Sequence, residues 1–277
     1  MPELPEVETT VNDLRPQLLG RQIVAAHVLW PRTVAEPDAG SLAALLPGQH
    51  ILSLSRRGKY LLFALESGMT LICHLRMTGR LRVEPDGGEL PRDPHTRAWF
   101  DLAGVEGQGP QRLVFSDARK FGRFWLVSDV QGVLGALGPE PLAPDFTPAV
   151  LRERLQGRHV AIKALLLDQH VVAGLGNIYA DEALFSAGIH PLRSATALEN
   201  GEIDRLHAAI IRVLRAAVGG RGTTLRDYRP PYGDRGSFQE KLRVYQRTGQ
   251  PCVCCGEPIC RIRVTQRSTH FCPHCQT

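Results

Sequence analysis

The chain has 277 residues, 43% of them hydrophobic, a formal net charge of +5 and seven cysteines. That is enough apolar chain for a sizeable core and for more than one domain. No run approaches the ~18 apolar residues of a membrane span, and Glu3, Glu6, Glu8 and Asp13 stand where a signal peptide needs a basic and then an apolar stretch, so neither export nor membrane anchoring is expected. The basic surplus is local. From Arg221 onward ten Lys/Arg face four acids, a net of +6, whereas residues 1–220 carry −1. A solubilising tail is the plain alternative, but this segment also holds cysteines, aromatics and glycines at ordered spacing. A polyanion-binding element is the better reading.

Leu4, Val7, Val11, Leu14 and Leu18 recur at steps of three and four, which predicts an amphipathic helix from almost the first residue to Gly20, with Pro16 shortening or kinking its last turn. The period then changes. Segments 22–30, 50–55, 59–65, 69–75, 97–102, 112–116 and 122–128 are rich in β-branched and aromatic residues and are parted by Gly, Pro and Asp clusters. That spacing predicts an antiparallel sandwich or barrel. Gly132 to Pro148 reads as a linker, and helical periodicity resumes at 148–156, 161–170, 178–187 and 202–217. Arg221 to Gly236 has no period and reads as a loop.

Six of the cysteines lie between Cys252 and Cys275, which points to a metal in a reducing compartment. Cys252-x2-Cys255 and Cys272-x2-Cys275, sixteen residues apart, suit two knuckles joined by a β-hairpin and a tetrahedral four-thiolate zinc. Four cysteines leave no open position, so that zinc is structural. Cys254 is poorly spaced to replace Cys255, and Cys73 and Cys260 read as unliganded. On the hairpin, Arg261, Arg263, Gln266 and Arg267 read either as a phosphate-gripping surface or as an ordinary solvated face.

Two further features admit two readings each. Gly174-Leu175-Gly176-Asn177 interrupts two helical patterns, with Asn177 as a good N-cap; this is a capped helical hairpin or a cradle of backbone N–H groups for a phosphate. Pro2 follows Met1. It is either a helix-friendly start or, once Met1 is removed, a secondary amine. An α-amino group with a pKa near ~8 is partly neutral at pH 7 and able to attack a sugar C1′. Glu3 and Glu6 suit the helix dipole without any function.

Taken together, Met1-Pro2-Glu3-Leu4-Pro5-Glu6-Val7-Glu8, Arg57-Gly58-Lys59-Tyr60-Leu61-Leu62, His74-Leu75-Arg76-Met77-Thr78-Gly79, Asp117-Ala118-Arg119-Lys120-Phe121-Gly122, Gly174 to Glu182 and the zinc hairpin resemble bacterial formamidopyrimidine-DNA glycosylase, in order and from the first residue to the last cysteine. The resemblance implies an α+β multidomain protein: an N-terminal helix plus antiparallel β-sandwich (1–131), a linker (132–147), a helix-two-turn-helix domain with a lesion-capping loop (148–240) and a C-terminal zinc β-hairpin (241–277). It implies a monomeric, cytoplasmic base-excision repair enzyme. The enzyme takes double-stranded DNA carrying 8-oxoguanine or formamidopyrimidines as its substrate and holds one structural Zn2+.

Carried over by motif, Pro2 is the nucleophile and Schiff-base residue and Glu3 the acid that assists sugar opening. Lys59 serves β-elimination, and Arg267 serves δ-elimination and phosphate gripping. Met77, Arg119 and Phe121 fill the gap left by the extruded base, while His74, His95, Arg158 and Asn177 belong to the DNA-binding set. The family's His-Asp-His is here His95-Thr96-Arg97, and the Arg229-Pro230-Pro231-Tyr232 loop is individual. Two rivals remain: an endonuclease VIII-like enzyme for oxidised pyrimidines, disfavoured by Leu4 and Arg119-Lys120-Phe121, and a non-catalytic zinc-ribbon DNA binder, disfavoured by Pro2, Glu3 and Lys59 together.

Overall fold

The structure, a computed structural model, describes residues 1–86, 93–105, 107–223 and 236–277. It divides into two compact units. The first holds residues 1–2, 6–135 and, among the described residues, Thr223 and Gly236; the second holds 3–5, 136–222 and 237–277.

Helix α1 spans Leu4–Leu18, and Pro16 lies within it without ending it. The stop comes at Gly20, whose φ of 76° is the left-handed geometry that glycine adopts without a steric cost. Val7, Val11, Leu14 and Leu18 are fully buried in the first unit's core. That core lies between two sheets built from β1 (Ile23–Val28), β2 (Val34–Glu36), β3 (Ile51–Arg57), β4 (Tyr60–Leu65), β5 (Thr70–His74), β6 (Arg80–Pro85), β7 (Thr96–Leu102), β8 (Gln111–Ser116) and β9 (Arg123–Val127). Their orders are β1-β7-β8-β6 and β2-β9-β5-β4-β3. Phe100 of β7 and Phe115 of β8 meet Phe124 of β9 edge-on, at centroid distances of 5.7 and 4.9 Å, and so join the sheets.

The sandwich is antiparallel except for β2, which pairs parallel to β9. Three elements were not expected from the sequence. Strand β2 is too short to show a period. Strand β6 alternates as a half-buried strand should, with Leu81 and Val83 inward. Helix α2 (Ala39–Leu45) is started by Asp38, whose carboxylate accepts the N–H groups of Gly40 and Ser41 at 2.8 and 3.0 Å. A fourth, α3 (Gln131–Leu134), lies at the start of the stretch expected to be an irregular linker.

The second unit holds α4 (Pro148–Leu155), α5 (Ile162–Leu167), α6 (Asn177–Ala187), α7 (Asn200–Gly219) and the hairpin of β10 (Cys260–Val264) and β11 (Arg267–Phe271). Thr147 caps α4 with Pro148 at the first helical position. Glu199 and Glu202 close a reciprocal capping box at α7. Phe185 of α6 packs with Val244, Cys252, Ile259 and Cys272, so the cysteine hairpin has its own small apolar base. Among the described residues, no helix is long and apolar enough to cross a membrane.

Candidate nucleic-acid interface and zinc centre

In the first unit Pro2 is buried, and Glu6, read from sequence only as an acid suited to the helix dipole, is 2% exposed. Its carboxylate accepts the N–H of Thr223 at 2.7 Å, across 217 positions. Glu6 thereby holds the start of the segment in which the lesion-capping loop was expected; positions 224–235 lie outside the described residues. A contact that distant leaves no local signature.

Gly58 and Lys59 form the two-residue turn between β3 and β4, and Gly58 has φ 56°. Lys59 is buried there, and His74 sits opposite Tyr60 at the end of β5. Burial, with the positive charges of Arg76 and Lys59 beside it, pushes the His74 imidazole down to about 3. Its Nδ1 accepts the Arg76 N–H at 2.9 Å, so the neutral ring carries its proton on Nε2. A neutral N–H donor beside a lysine is suited to a phosphate oxygen.

The turn between β8 and β9 carries Arg119 and Phe121, both exposed, Phe121 at 53%. One buried carboxylate organises it. Asp117 accepts the Thr78 hydroxyl and the N–H groups of Arg119 at 3.1 Å and Gly122 at 2.7 Å. A Cβ on Gly122 would come within 2.3 Å of the Phe115 ring. The Arg119 guanidinium reaches the Met77 sulfur at 3.0 Å, so two of the three expected gap-filling side chains meet, and Phe121 stands exposed on the same turn as Arg119. Exposed His95 meets this turn through its carbonyl, which accepts the Asp117 N–H at 2.8 Å.

In the second unit Glu3 is 3% exposed, and its carboxylate accepts the N–H groups of Ile178 at 3.0 Å and Tyr179 at 3.4 Å. This corrects the expectation for Asn177. The N-cap is Gly176, which has no side chain to offer; Glu3 supplies the anion that the α6 N-terminus wants. A Cβ on Gly176 would lie 2.3 Å from the Glu3 carboxyl carbon, and one on Gly174 2.8 Å from Leu4, so both glycines are required by close approach. Asn177 is freed to donate its side-chain N–H to the Ser268 carbonyl at 2.8 Å, and its buried Oδ1 has no hydrogen-bond partner among the described residues.

Arg267 stands exposed at the start of β11, next to Ser268. Behind it is a fully buried ion pair. Lys163 donates to Asp181 at 2.5 Å, to Thr269 Oγ1 at 2.8 Å and to the Ser268 carbonyl at 3.2 Å, while Asp181 accepts the His270 N–H at 2.9 Å. Burial lowers the Lys163 ammonium, and Asp181 offsets that in part. Glu182, raised by burial, accepts the successive N–H groups of Arg243, Val244 and Tyr245 at 2.9 to 3.1 Å. Lys163 was not singled out from sequence; Asp181 and Glu182 were read only as acids of the Gly174 to Glu182 motif, without their partners. Arg158 is exposed on the turn after α4, where its N–H bonds to Leu155.

The four sulfurs of Cys252, Cys255, Cys272 and Cys275 lie within 4.8 Å of one another. Two edges measure 3.9 and 3.5 Å, against the ~3.8 Å of a tetrahedron with ~2.3 Å Zn–S bonds. The donor set fits zinc. Cys254 is exposed and gives only its N–H to the Cys252 sulfur, and the Cys275 N–H does the same for Cys272, both at 3.4 Å.

Family models match across the chain in three pieces: the formamidopyrimidine-DNA glycosylase N-terminal domain over residues 1–124, the same family's H2TH domain over 137–228, and a zinc finger found in FPG and IleRS over 249–277. The chain belongs to the formamidopyrimidine-DNA glycosylase family. The formamidopyrimidine-DNA glycosylase of Symbiobacterium thermophilum is 50% identical, the alignment covering 100% of this chain and 89% of that one. Among solved structures, a point mutant of Lactococcus lactis FPG in complex with Fapy-dG-containing DNA superposes with a TM-score of 0.91 at 38% identity, covering 100% of both chains. MutM (FPG) of Thermus thermophilus gives 0.88 at 46%, covering 99% of this chain and 98% of that one. The H2TH domain is this family's frame for the Gly174–Asn177 turn, and the cysteine hairpin is its zinc finger.

Proposed function

We propose that this glycosylase excises oxidised purines, 8-oxoguanine and formamidopyrimidines, from duplex DNA and then cuts the abasic strand by β- and δ-elimination. The carrying observation is the seating of Glu3 on the N–H groups of Ile178 and Tyr179 immediately after Pro2 in the chain. An amine is thereby tethered by one peptide bond to a carboxyl group of fixed position.

With Met1 removed, the Pro2 nitrogen attacks C1′ and the glycosidic bond breaks, the base leaving as an anion that takes its proton from water. The Glu3 carboxylate takes the proton that the Pro2 nitrogen sheds and passes it to the ring oxygen as the C1′–O4′ bond opens. The two N–H donors stabilise the carboxylate left behind. The iminium so formed acidifies C2′; loss of that proton expels the 3′ phosphate, and a second elimination expels the 5′ phosphate. Lys59 and His74 hold a phosphate in the first unit, Asn177 and Arg267 in the second. Arg158 and His95 grip the flanking backbone. Met77, Arg119 and Phe121 replace the extruded base, which is unreachable inside the stack. Zinc, held by the four cysteines, supplies structure and no chemistry. The free thiols suit a reducing compartment, and we place the enzyme in the cytoplasm, at the nucleoid.

The test is borohydride trapping on duplex with 8-oxoguanine opposite cytosine. The DNA-bearing peptide is expected to begin at Pro2, and an adduct at Lys59 overturns the assignment. Protein retaining Met1 is expected to release neither base nor strand, because an amide nitrogen is not a nucleophile.

A further inference from the structure

Behind the turn that carries Arg119 and Phe121 lies an aromatic ring that the chemistry above does not use. Lys120, between them, has φ 60°, a backbone conformation that side-chain-bearing residues rarely take. Its side chain goes elsewhere: the ammonium stands 4.1 Å from the centre of the Trp30 ring, while Arg119 turns to the Met77 sulfur. Trp30 is itself anchored to this turn. Its N–H, with that of Leu29, donates to the Arg97 carbonyl, and the Arg97 Nε donates to the Asp117 carbonyl at 2.9 Å. Three residues on, the Thr33 hydroxyl donates to the Gly122 carbonyl at 3.0 Å. The segment Trp30–Thr33 thus touches the turn at Lys120 and Gly122, on either side of Phe121.

We propose that Trp30 is a positioning residue for the contact to the base opposite the lesion: its indole face holds the Lys120 ammonium and so fixes the left-handed turn that presents Arg119 and Phe121. Asp117 secures the Arg119 and Gly122 amides and the Arg123 guanidinium reaches the Lys120 carbonyl at 3.3 Å, but none of these contacts holds the Lys120 side chain. The cation over the ring supplies that hold. The consequence for base choice rests on the reading that Arg119 enters the duplex; the clamp itself does not.

The experiment therefore has two arms on the full-length, zinc-loaded protein. In the first, amide hydrogen exchange at Arg119 and Gly122 is compared in wild type, Trp30→Ala, Trp30→Phe, Lys120→Met and the double variant Trp30→Ala/Lys120→Met. Trp30→Ala and Lys120→Met are each expected to speed exchange about two- to fivefold. The double variant should add nothing further, Trp30→Phe should keep much of the protection, and the amides of β5 should stay unchanged. Equal rates in all variants, or additive effects, overturn the clamp.

In the second arm, the ratio of excision opposite cytosine to excision opposite adenine is measured for Trp30→Ala beside Arg119→Ala. Narrowing in both supports the proposal. Narrowing in Arg119→Ala alone overturns the positioning role. An unchanged ratio in Arg119→Ala defeats the reading of Arg119 instead, and the clamp then stands or falls on the exchange rates. Weaker binding of Lys120→Met to undamaged duplex with unchanged exchange makes Lys120 a phosphate contact and overturns the proposal.

Discussion

The two turns that present Arg119 and Arg267 have similar backbones and opposite foundations. Each passes through left-handed residues, Lys120 in one and Thr265 and Gln266 in the other. The Arg119 turn is held by backbone amides donated to the buried Asp117 carboxylate and by side chains that remain exposed. The Arg267 hairpin is held from beneath, by Lys163 and Asp181, whose side chains are 0% exposed. The exposed side chains of that turn can shift by small amounts at small cost, which suits a plug that must enter a base stack. A buried ion pair tolerates no intermediate state, because separating its partners strands a charge in the interior. It suits a post that grips a backbone at one fixed place.

The largest effect is expected at the hairpin. Stripping zinc is expected to unfold β10 and β11 and abolish tight DNA binding while the sandwich stays folded, since the free energy of such sites is on the order of 10 kcal/mol. Far-ultraviolet circular dichroism and a duplex-binding titration before and after chelation check it. Cys252→Ser, Cys255→Ser, Cys272→Ser and Cys275→Ser should each lower the zinc content, and Cys254→Ser should not. Next in size, Asp181→Asn strands the Lys163 ammonium and is expected to cost about 3–5 kcal/mol, read by urea unfolding followed at the β11 amides.

A smaller effect belongs to the first unit. His74 is neutral when folded, at about 3, and its unfolded value is 6.5. Between those values the unfolded chain binds the extra proton, so stability falls as pH falls. About 2 kcal/mol should be lost between pH 7 and 5 through this residue, and His74→Gln should flatten that part of the curve. Gentlest for the fold is Arg119→Ala. It is expected to leave the melting temperature within the small range of surface changes while reducing the preference for cytosine over adenine opposite 8-oxoguanine, a discrimination of about 1–3 kcal/mol. Excision rates on the two pairings decide it; an unchanged ratio makes Arg119 a phosphate contact only.

Much of this was legible in the chain because it is written at short range. The α1 stripe, seven of the nine described sandwich strands, helices α4 to α7 and the paired cysteines each repeat or terminate within twenty-odd residues, where period and turn chemistry operate. The meeting of Met77 and Arg119 was legible through family motifs alone. Strand β2 escaped because three residues have no period, and Asp38 escaped as a cap because α2 makes only two turns. The assignment of Asn177 as a cap followed the right local rule. It failed because a carboxylate from position 3 already occupied the helix end, 175 residues away in sequence.

By itself the sequence determined the kinds of element, the metal chemistry and the residue types available for catalysis, since each depends on neighbours a few positions away. Tertiary structure alone decided the partners. Glu3 sits on the α6 N-terminus, Glu6 on Thr223, Lys163 on Asp181 and Lys120 on Trp30. These are pairings of charges and dipoles between distant segments, and folding, which must satisfy every polar group it buries, selects them.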